Sequence, residues 1–208
     1  MKTKITKMNN DWVDVKNECR NTENKQPTEN SPSYTFKKDL LISEHSPIRL
    51  LEVKWRWENI KSWISVHFAR HWLGWDKWIS TQRSDRTGVD RDKSTQETPV
   101  NMDIKANAQS LINVARFRLC FQASKETREY MEDLKISIHK QEPELADVMV
   151  PNCIYRCGCP EFSKCGFWKA FIEKNKGLIE FTDIKSRYDK YNLEFYAKND
   201  FKDTEICL

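Results

Sequence analysis

Residues 67–88 read HFARHWLGWDKWISTQRSDRTG, a run that concentrates imidazoles, guanidiniums, hydroxyls and indoles. His67 and His71 stand four apart, the same-face spacing of a helix and half of a zinc site. A zincin helix also needs glutamate directly after its first histidine, and Phe68 stands there instead. The only other histidines are His45 and His139. The pair therefore reads as packing under Trp63 or as facing a ligand, ahead of a catalytic zinc. Arg70, Arg83, Arg86 and Arg91 gather around the end of this segment and the loop beyond it. Guanidinium forks match phosphate oxygens, and Ser80 and Thr81 add hydroxyl donors. Arginines alone would read as a solvated basic loop. Trp72, Trp75 and Trp78, three apart, change the balance, because planar faces beside cations suit a flat heterocycle carrying phosphate. At least one of these indoles is expected in the core.

A second polar series runs Asn107, Gln109, Asn113, Arg116, Arg118. Gln109, Asn113 and Arg116 share a helical face, and amides there can bond ring edges because each offers a donor and an acceptor. A solvated face is the plainer alternative. Four thiols, Cys153, Cys157, Cys159 and Cys165, fall within the thirteen residues CIYRCGCPEFSKC. Their spacing is not that of two CxxC knuckles, so buried reduced thiols stand ahead of a structural metal, and a redox role comes last. No cysteine sits beside a basic partner as a nucleophile would.

The elements that must position these groups follow from periodicity. LEVKWRWE, residues 51–58, alternates strictly and predicts a strand with one buried face. Asn59 is then placed to cap a helix through Ile60, Trp63, Ile64, His67 and Phe68 to about Trp72, with Gly74 as its stop. Residues 83–100 have no apolar period and read as a loop. A second helix is expected from Asn101 or Asp103 through Leu119, and a third after Ser124, ended by Pro143. Another helix is expected around residues 167–174, with short strands at LIEFTDI and LEFYA. The fold class is α+β, a central mostly antiparallel sheet flanked by helices. Residues 1–208 read as a single domain, with a polar N-terminal segment at 1–38 (a short helix or strand, then a loop) and a cysteine-rich turn and extension at 150–208.

Bulk composition sets the limits. Of 208 residues, 38% are hydrophobic and 12% aromatic, enough for a core despite 32% charged. A formal net charge of +4 is too slight for a protein that coats DNA but suits small phosphorylated ligands. Five glycines and no GxGxxG or P-loop pattern exclude the common phosphate loops. There is no apolar run of membrane-spanning length and no signal-peptide core near the start, so a cytoplasmic chain with reduced thiols is expected, with no membrane and no nucleic-acid partner. A module that stacks single-stranded nucleic acid on the tryptophans is the alternative class.

Two ordered motifs carry a resemblance. Arg70-His71-Trp72, seven residues and then Ser80 is similar to the Arg-His-Arg, seven residues, Ser signature of the flavin-dependent thymidylate synthases. His45-Ser46-Pro47 stands where that family has a Ser/Thr-Pro element, and NAQSLINVARFR, Asn107 to Arg118, resembles its Asn-Ala-Arg-Ser-Leu helix. Gln109 replaces an arginine, Trp72 replaces another, and the family's Asn-Glu pair before the serine is Trp78-Ile79. The likeness spans about residues 40–140. It implies an enzyme that methylates dUMP to dTMP with FAD as cofactor and NADPH and methylenetetrahydrofolate as co-substrates, in homotetramers whose active sites lie between subunits. The family's reduced flavin donates hydride and needs no thiol nucleophile. By position, Ser46, Arg70, His71, Trp72, Asn107, Gln109 and Asn113 are implied at FAD. His67, Ser80, Thr81, Gln82, Arg83 and Arg118 are implied at the nucleotide, with Arg118 and Ser80 nearest the chemistry. A different pyrimidine nucleotide, or an assembly protein that has lost activity, fits the same departures.

Overall fold

The computed structural model describes residues 2–199. In chain order the elements are β1 (Thr3–Asn9), α1 (Trp12–Thr22), α2 (Tyr34–Ser43), a 3-10 turn (Ser46–Leu50), β2 (Glu52–Lys61), α3 (Ser62–Ala69), β3 (Trp75–Ile79), α4 (Ser84–Thr87), β4 (Pro99–Asn107), α5 (Ala108–Arg118), α6 (Lys125–His139), α7 (Pro143–Asp147), α8 (Asn152–Tyr155), α9 (Phe167–Asn175) and α10 (Ile184–Lys198). The strands form one antiparallel sheet in the order β1-β2-β4-β3. This is the α+β architecture that the sequence predicts.

Alternation gives the sheet two unlike faces. Val53, Trp55, Trp57 and Ile60 of β2 and Val100, Met102, Ile104 and Ala106 of β4 are buried beneath α3, α5 and α6. The opposite face carries charge pairs across the strands, Glu52 with Lys105 at 2.7 Å and Arg56 with Asp103 at 3.1 Å. Trp55, Trp57, Trp75 and Phe68 form one aromatic cluster, with Trp55 edge-to-face on both indoles and Phe68 stacked on Trp75, ring centres 4.6–6.4 Å apart. On the far side of α6, the fully buried Lys135 donates to the Ala146 carbonyl at 2.6 Å and to Asn192 Oδ1 at 2.7 Å, pinning α10 against α6 and α7.

Several boundaries differ from expectation. β2 runs on through Asn59, which takes φ +53° where the β2–β4 register shifts, and α3 starts only at Ser62 and ends at Ala69. The expected helix start at Asn101 or Asp103 is instead β4. Asn107 is the true cap of α5, its Oδ1 accepting from Ser110 N at 2.9 Å. The short strand β3 lies where no strand was expected, whereas LEFYA is the end of α10 and LIEFTDI forms no strand. The N-terminal segment supplies an edge strand and a capped helix. Ser124 caps α6 as expected, accepting from Thr127 N, and the helix of residues 167–174 is α9.

Gly74 joins the two motif regions. Its φ is +62°, its carbonyl accepts from Asn107 N at 3.1 Å, and a Cβ placed on it would stand 2.4 Å from Asn107 Nδ2. Alanine there meets both a left-handed backbone and the side chain that caps α5. We expect Gly74→Ala to lower unfolding stability by about 2 kcal/mol, from backbone strain plus a disturbed cap, read in urea melts. A loss below about 0.5 kcal/mol, the range of an ordinary surface substitution, would remove Gly74 from this role.

Candidate functional site

The end of α3, the turn into β3 and the end of α5 meet at Arg118. Its Nε donates to His71 Nε2 at 3.1 Å and its Nη2 to the His67 carbonyl at 2.7 Å. Lys77 Nζ donates to the His71 carbonyl at 2.7 Å. Arg70 follows α3 directly, is exposed, and has no hydrogen-bond or ion-pair partner among the described residues. No carboxylate pairs with Arg70, Lys77 or Arg118 among the described residues. Three cations thus share a small region without a counter-charge, and the half-buried Arg118 has its pKa lowered by burial and by Arg70.

Both histidines are held neutral. Burial, then Arg118 and Lys77, push the His71 pKa down to about 4, and its Nε2 accepts from a guanidinium, so the ring proton sits on Nδ1. His67 is also lowered, by burial first, then by Arg118 and Arg70. Ser124 Oγ donates to Thr127 Oγ1 at 2.7 Å, leaving the Thr127 hydroxyl to donate to His67 Nδ1 at 2.8 Å. His67 lies against Trp63, with ring centres 5.4 Å apart. It is therefore both the packed residue and a wall of the cation site.

The other expected residues fall into two further groups. Gln109 Nε2 and the Arg116 guanidinium both donate to the Glu44 carboxylate, and Arg116 also donates to Asn113 Oδ1 at 3.2 Å. The guanidinium carbon stands 3.5 Å from the Tyr155 ring centre. Glu44 holds φ +53° at the end of α2, and Ser46, two residues on, is exposed on the 3-10 turn that packs against α5. The third group is at the far end of β3. Ser80 Oγ accepts from Asn101 N at 2.9 Å, Arg83 pairs through two bonds with Asp85, and Gln82 Nε2 is buried without a partner among the described residues. Thr81 Oγ1 accepts from Arg83 N at 3.2 Å. Five strand residues at about 3.3 Å each set Ser80 on the order of 16 Å from the turn that holds His71.

The strand period separates Trp75 from Trp78 on β3, and Trp72 lies in the turn before the strand. Trp75 is 1% exposed and belongs to the core, whereas Trp72 and Trp78 are 72% and 54% exposed. Val66, Leu73 and Phe117, on or beside the same elements, are also more than half exposed. The cysteine grouping needs correction. Of the four thiols only Cys153 is buried, Cys157 and Cys165 are exposed, Cys157 Sγ donates to the Phe181 carbonyl at 3.1 Å, and among the described residues no three His, Cys, Asp or Glu side chains are placed to hold a metal ion. Sequence reasoning missed Glu44, Thr127 and Tyr155. Glu44 and Tyr155 are far in sequence from the motif they serve, and no local spacing marks them.

A titration by NMR tests the electrostatics. The neutral form of His71 is favoured in the folded chain, so unfolding takes up a proton between pH about 6.5 and about 4. Stability is therefore full above pH about 6.5 and falls as pH is lowered toward 4. The His71 ring should titrate near 4; a midpoint at the ordinary histidine value would show that the ring is neither buried nor held beside Arg118.

No protein-family model matches this chain, and no curated protein sequence does. Solved structures do. A crystal structure of thymidylate synthase X from Helicobacter pylori with FAD and dUMP has a TM-score of 0.59 at 10% identity, covering 72% of this chain and 99% of the other. A second structure of the flavin-dependent thymidylate synthase from Helicobacter pylori, complexed with FAD and dUMP, has a TM-score of 0.60 at 10% identity, over 72% and 100%. At that identity the likeness is one of fold, and the chain folds as these thymidylate synthases do.

Proposed function

We propose that the chain is a flavin-dependent thymidylate synthase, or a relative acting on another pyrimidine nucleotide. The observation that carries this reading is the trio Arg70, Lys77 and Arg118, left without carboxylate partners beside a neutral His71 on the fold of proteins solved with FAD and dUMP. Folded chains pair or solvate their arginines, and a half-buried, carboxylate-free guanidinium suits an anionic ligand.

Each group then has a task. Arg118, oriented by His71 and the His67 carbonyl, holds the pyrimidine edge and stabilises negative charge developing on the ring. Arg70 and Lys77 counter phosphate. Trp72 offers a flat apolar wall to an isoalloxazine ring, and Asn107 and Asn113 offer amides to its edge. A bound flavin would supply the hydride; these residues bind, orient and exclude water around it. NADPH and methylenetetrahydrofolate are proposed as co-substrates.

The site is proposed to be completed by other subunits, in a homotetramer. Ser80, Thr81, Gln82 and Arg83 stand at the opposite end of β3 from Arg118, and Val66, Trp72, Leu73 and Phe117 form an exposed apolar set around the cations. Apposed copies would bring the two ends together and cover the apolar set. Light scattering should give four copies; a monomer that still binds FAD would overturn this part.

The direct test is uptake of FAD followed by its visible spectrum, then calorimetry with dUMP. We expect the flavin band to shift on binding and Arg118→Ala to weaken dUMP by about 1.5–3 kcal/mol while the chain stays folded. No flavin binding, together with a salt-dependent shift of single-stranded DNA, would favour the nucleic-acid reading. Among the described residues no helix is long and apolar enough to cross a membrane.

A further inference from the structure

Two histidines border the cation site, and each has one ring nitrogen already engaged as an acceptor. Arg118 Nε donates to His71 Nε2 at 3.1 Å. The Thr127 hydroxyl donates to His67 Nδ1 at 2.8 Å. An uncharged imidazole carries a single ring proton, which must then sit on the other nitrogen of each ring, His71 Nδ1 and His67 Nε2. Neither of those nitrogens has a hydrogen-bond partner among the described residues, and neither is sealed from solvent. Arg70, Lys77 and Arg118 are donors as well. These side chains therefore present donors only, which suits a ligand group made of oxygens.

The tautomer of His71 is set by a permanent cation. That of His67 depends on a neutral hydroxyl 60 residues away in the chain. Thr127 is fully buried in the first turn of α6. The direction in which it donates is set by Ser124, the cap of that helix. Ser124 Oγ accepts from Thr127 N at 3.3 Å and gives its own proton to Thr127 Oγ1 at 2.7 Å. The Thr127 hydroxyl then has its proton to give, and His67 Nδ1 is the acceptor in reach. Trp63 stands edge-to-face with the ring, centres 5.4 Å apart, and Arg118 Nη2 holds the His67 carbonyl at 2.7 Å, so ring and backbone are both fixed. Burial and the nearby Arg118 and Arg70 oppose a second ring proton.

We propose that Thr127 is a positioning residue for this site: it fixes His67 as the tautomer whose Nε2–H donates to an oxygen of the nucleotide held by Arg118. The other tautomer turns a lone pair toward that oxygen and repels it. An unlocked ring spends part of its time in that form, and apparent affinity falls by the fraction lost. The hydroxyl pair that caps α6 thus also sets the hydrogen-bonding sense of a histidine on α3. The identity of the ligand rests on the nucleotide reading above; the tautomer lock does not.

The test uses the full chain with isotopically labelled histidine. At neutral pH, long-range proton–nitrogen correlation spectra should show His67 protonated on Nε2 and bare on Nδ1, and His71 the reverse, a readout that needs no variant to fold. Thr127→Val removes the hydroxyl but leaves the backbone N–H of that residue bonded to Ser124, so α6 keeps its cap. It should mix the His67 tautomers, leave that of His71 unchanged, and weaken dUMP about three- to tenfold; Thr127→Ser should restore both properties. The proposal is overturned by a wild-type His67 protonated on Nδ1 or on both nitrogens, by a Thr127→Val spectrum identical to wild type, or by mixed tautomers with dUMP affinity unchanged. A wild-type chain that binds no dUMP sinks the nucleotide reading instead, and the spectra still decide the lock.

Discussion

Phe68 is fully buried, 4.6 Å from Trp57 and 6.4 Å from Trp75, ring centre to ring centre. Trp55 closes the cluster between the two indoles, at 5.6 and 5.2 Å. Each such side chain is worth about 1.5–3 kcal/mol on burial, against which two indole N–H groups, of Trp55 and Trp75, are left without hydrogen-bond partners. The net gain fixes the last turn of α3 over β2 and β3. His67 and Arg70 then emerge beside the wedge, the chain reverses through Gly74, and His71 lands against Trp75 and in reach of Arg118. The proposed nucleotide site is thus a rim around an aromatic plug. Apolar packing sets where its polar groups emerge, and hydrogen bonds among them set how they point.

How much of this the sequence discloses depends on the range of the interaction. Strict alternation at residues 51–58 reveals β2 because each apolar side chain reports its own burial. The same alternation runs through Val100, Met102, Ile104 and Ala106, yet Ile104 and Ala108 are also spaced four apart and a polar loop precedes them, so periodicity there points to a helix where the chain forms β4. Asn59 looked like a cap because asparagine caps helices; it also tolerates positive φ, and here that second property is used. LEFYA has aromatic strand propensity, but partners on α7 and α8 bury Tyr191, Phe195 and Tyr196 as one helical stripe.

The site shows the same divide. Arg70, Asn113 and Arg118 are expected to share one cleft; in the structure Arg118 meets His71 with Arg70 beside it, while Asn113 stands with Arg116 and Glu44. Which cations are free is not recorded locally. Arg116 and Arg83 look like Arg70 in composition, but Glu44 and Asp85 neutralise them. Glu44 also takes the amide of Gln109, so the departure from arginine there coincides with a carboxylate already satisfied from within the chain. Any flavin phosphate must draw its counter-charge from elsewhere.

The two edge strands of the sheet carry a consequence for assembly. On β1 the register slips between Ile5 and Lys7, and lysines stand at positions 4 and 7. On the other side β3 is only five residues long, and Lys77 turns back to the carbonyl of His71. Irregularity and brevity both deny a neighbouring backbone a long, straight template. Copies of this molecule are thereby steered away from strand-to-strand fibrils, and self-association is left to side-chain surfaces, where geometry can close the complex at a finite number of subunits.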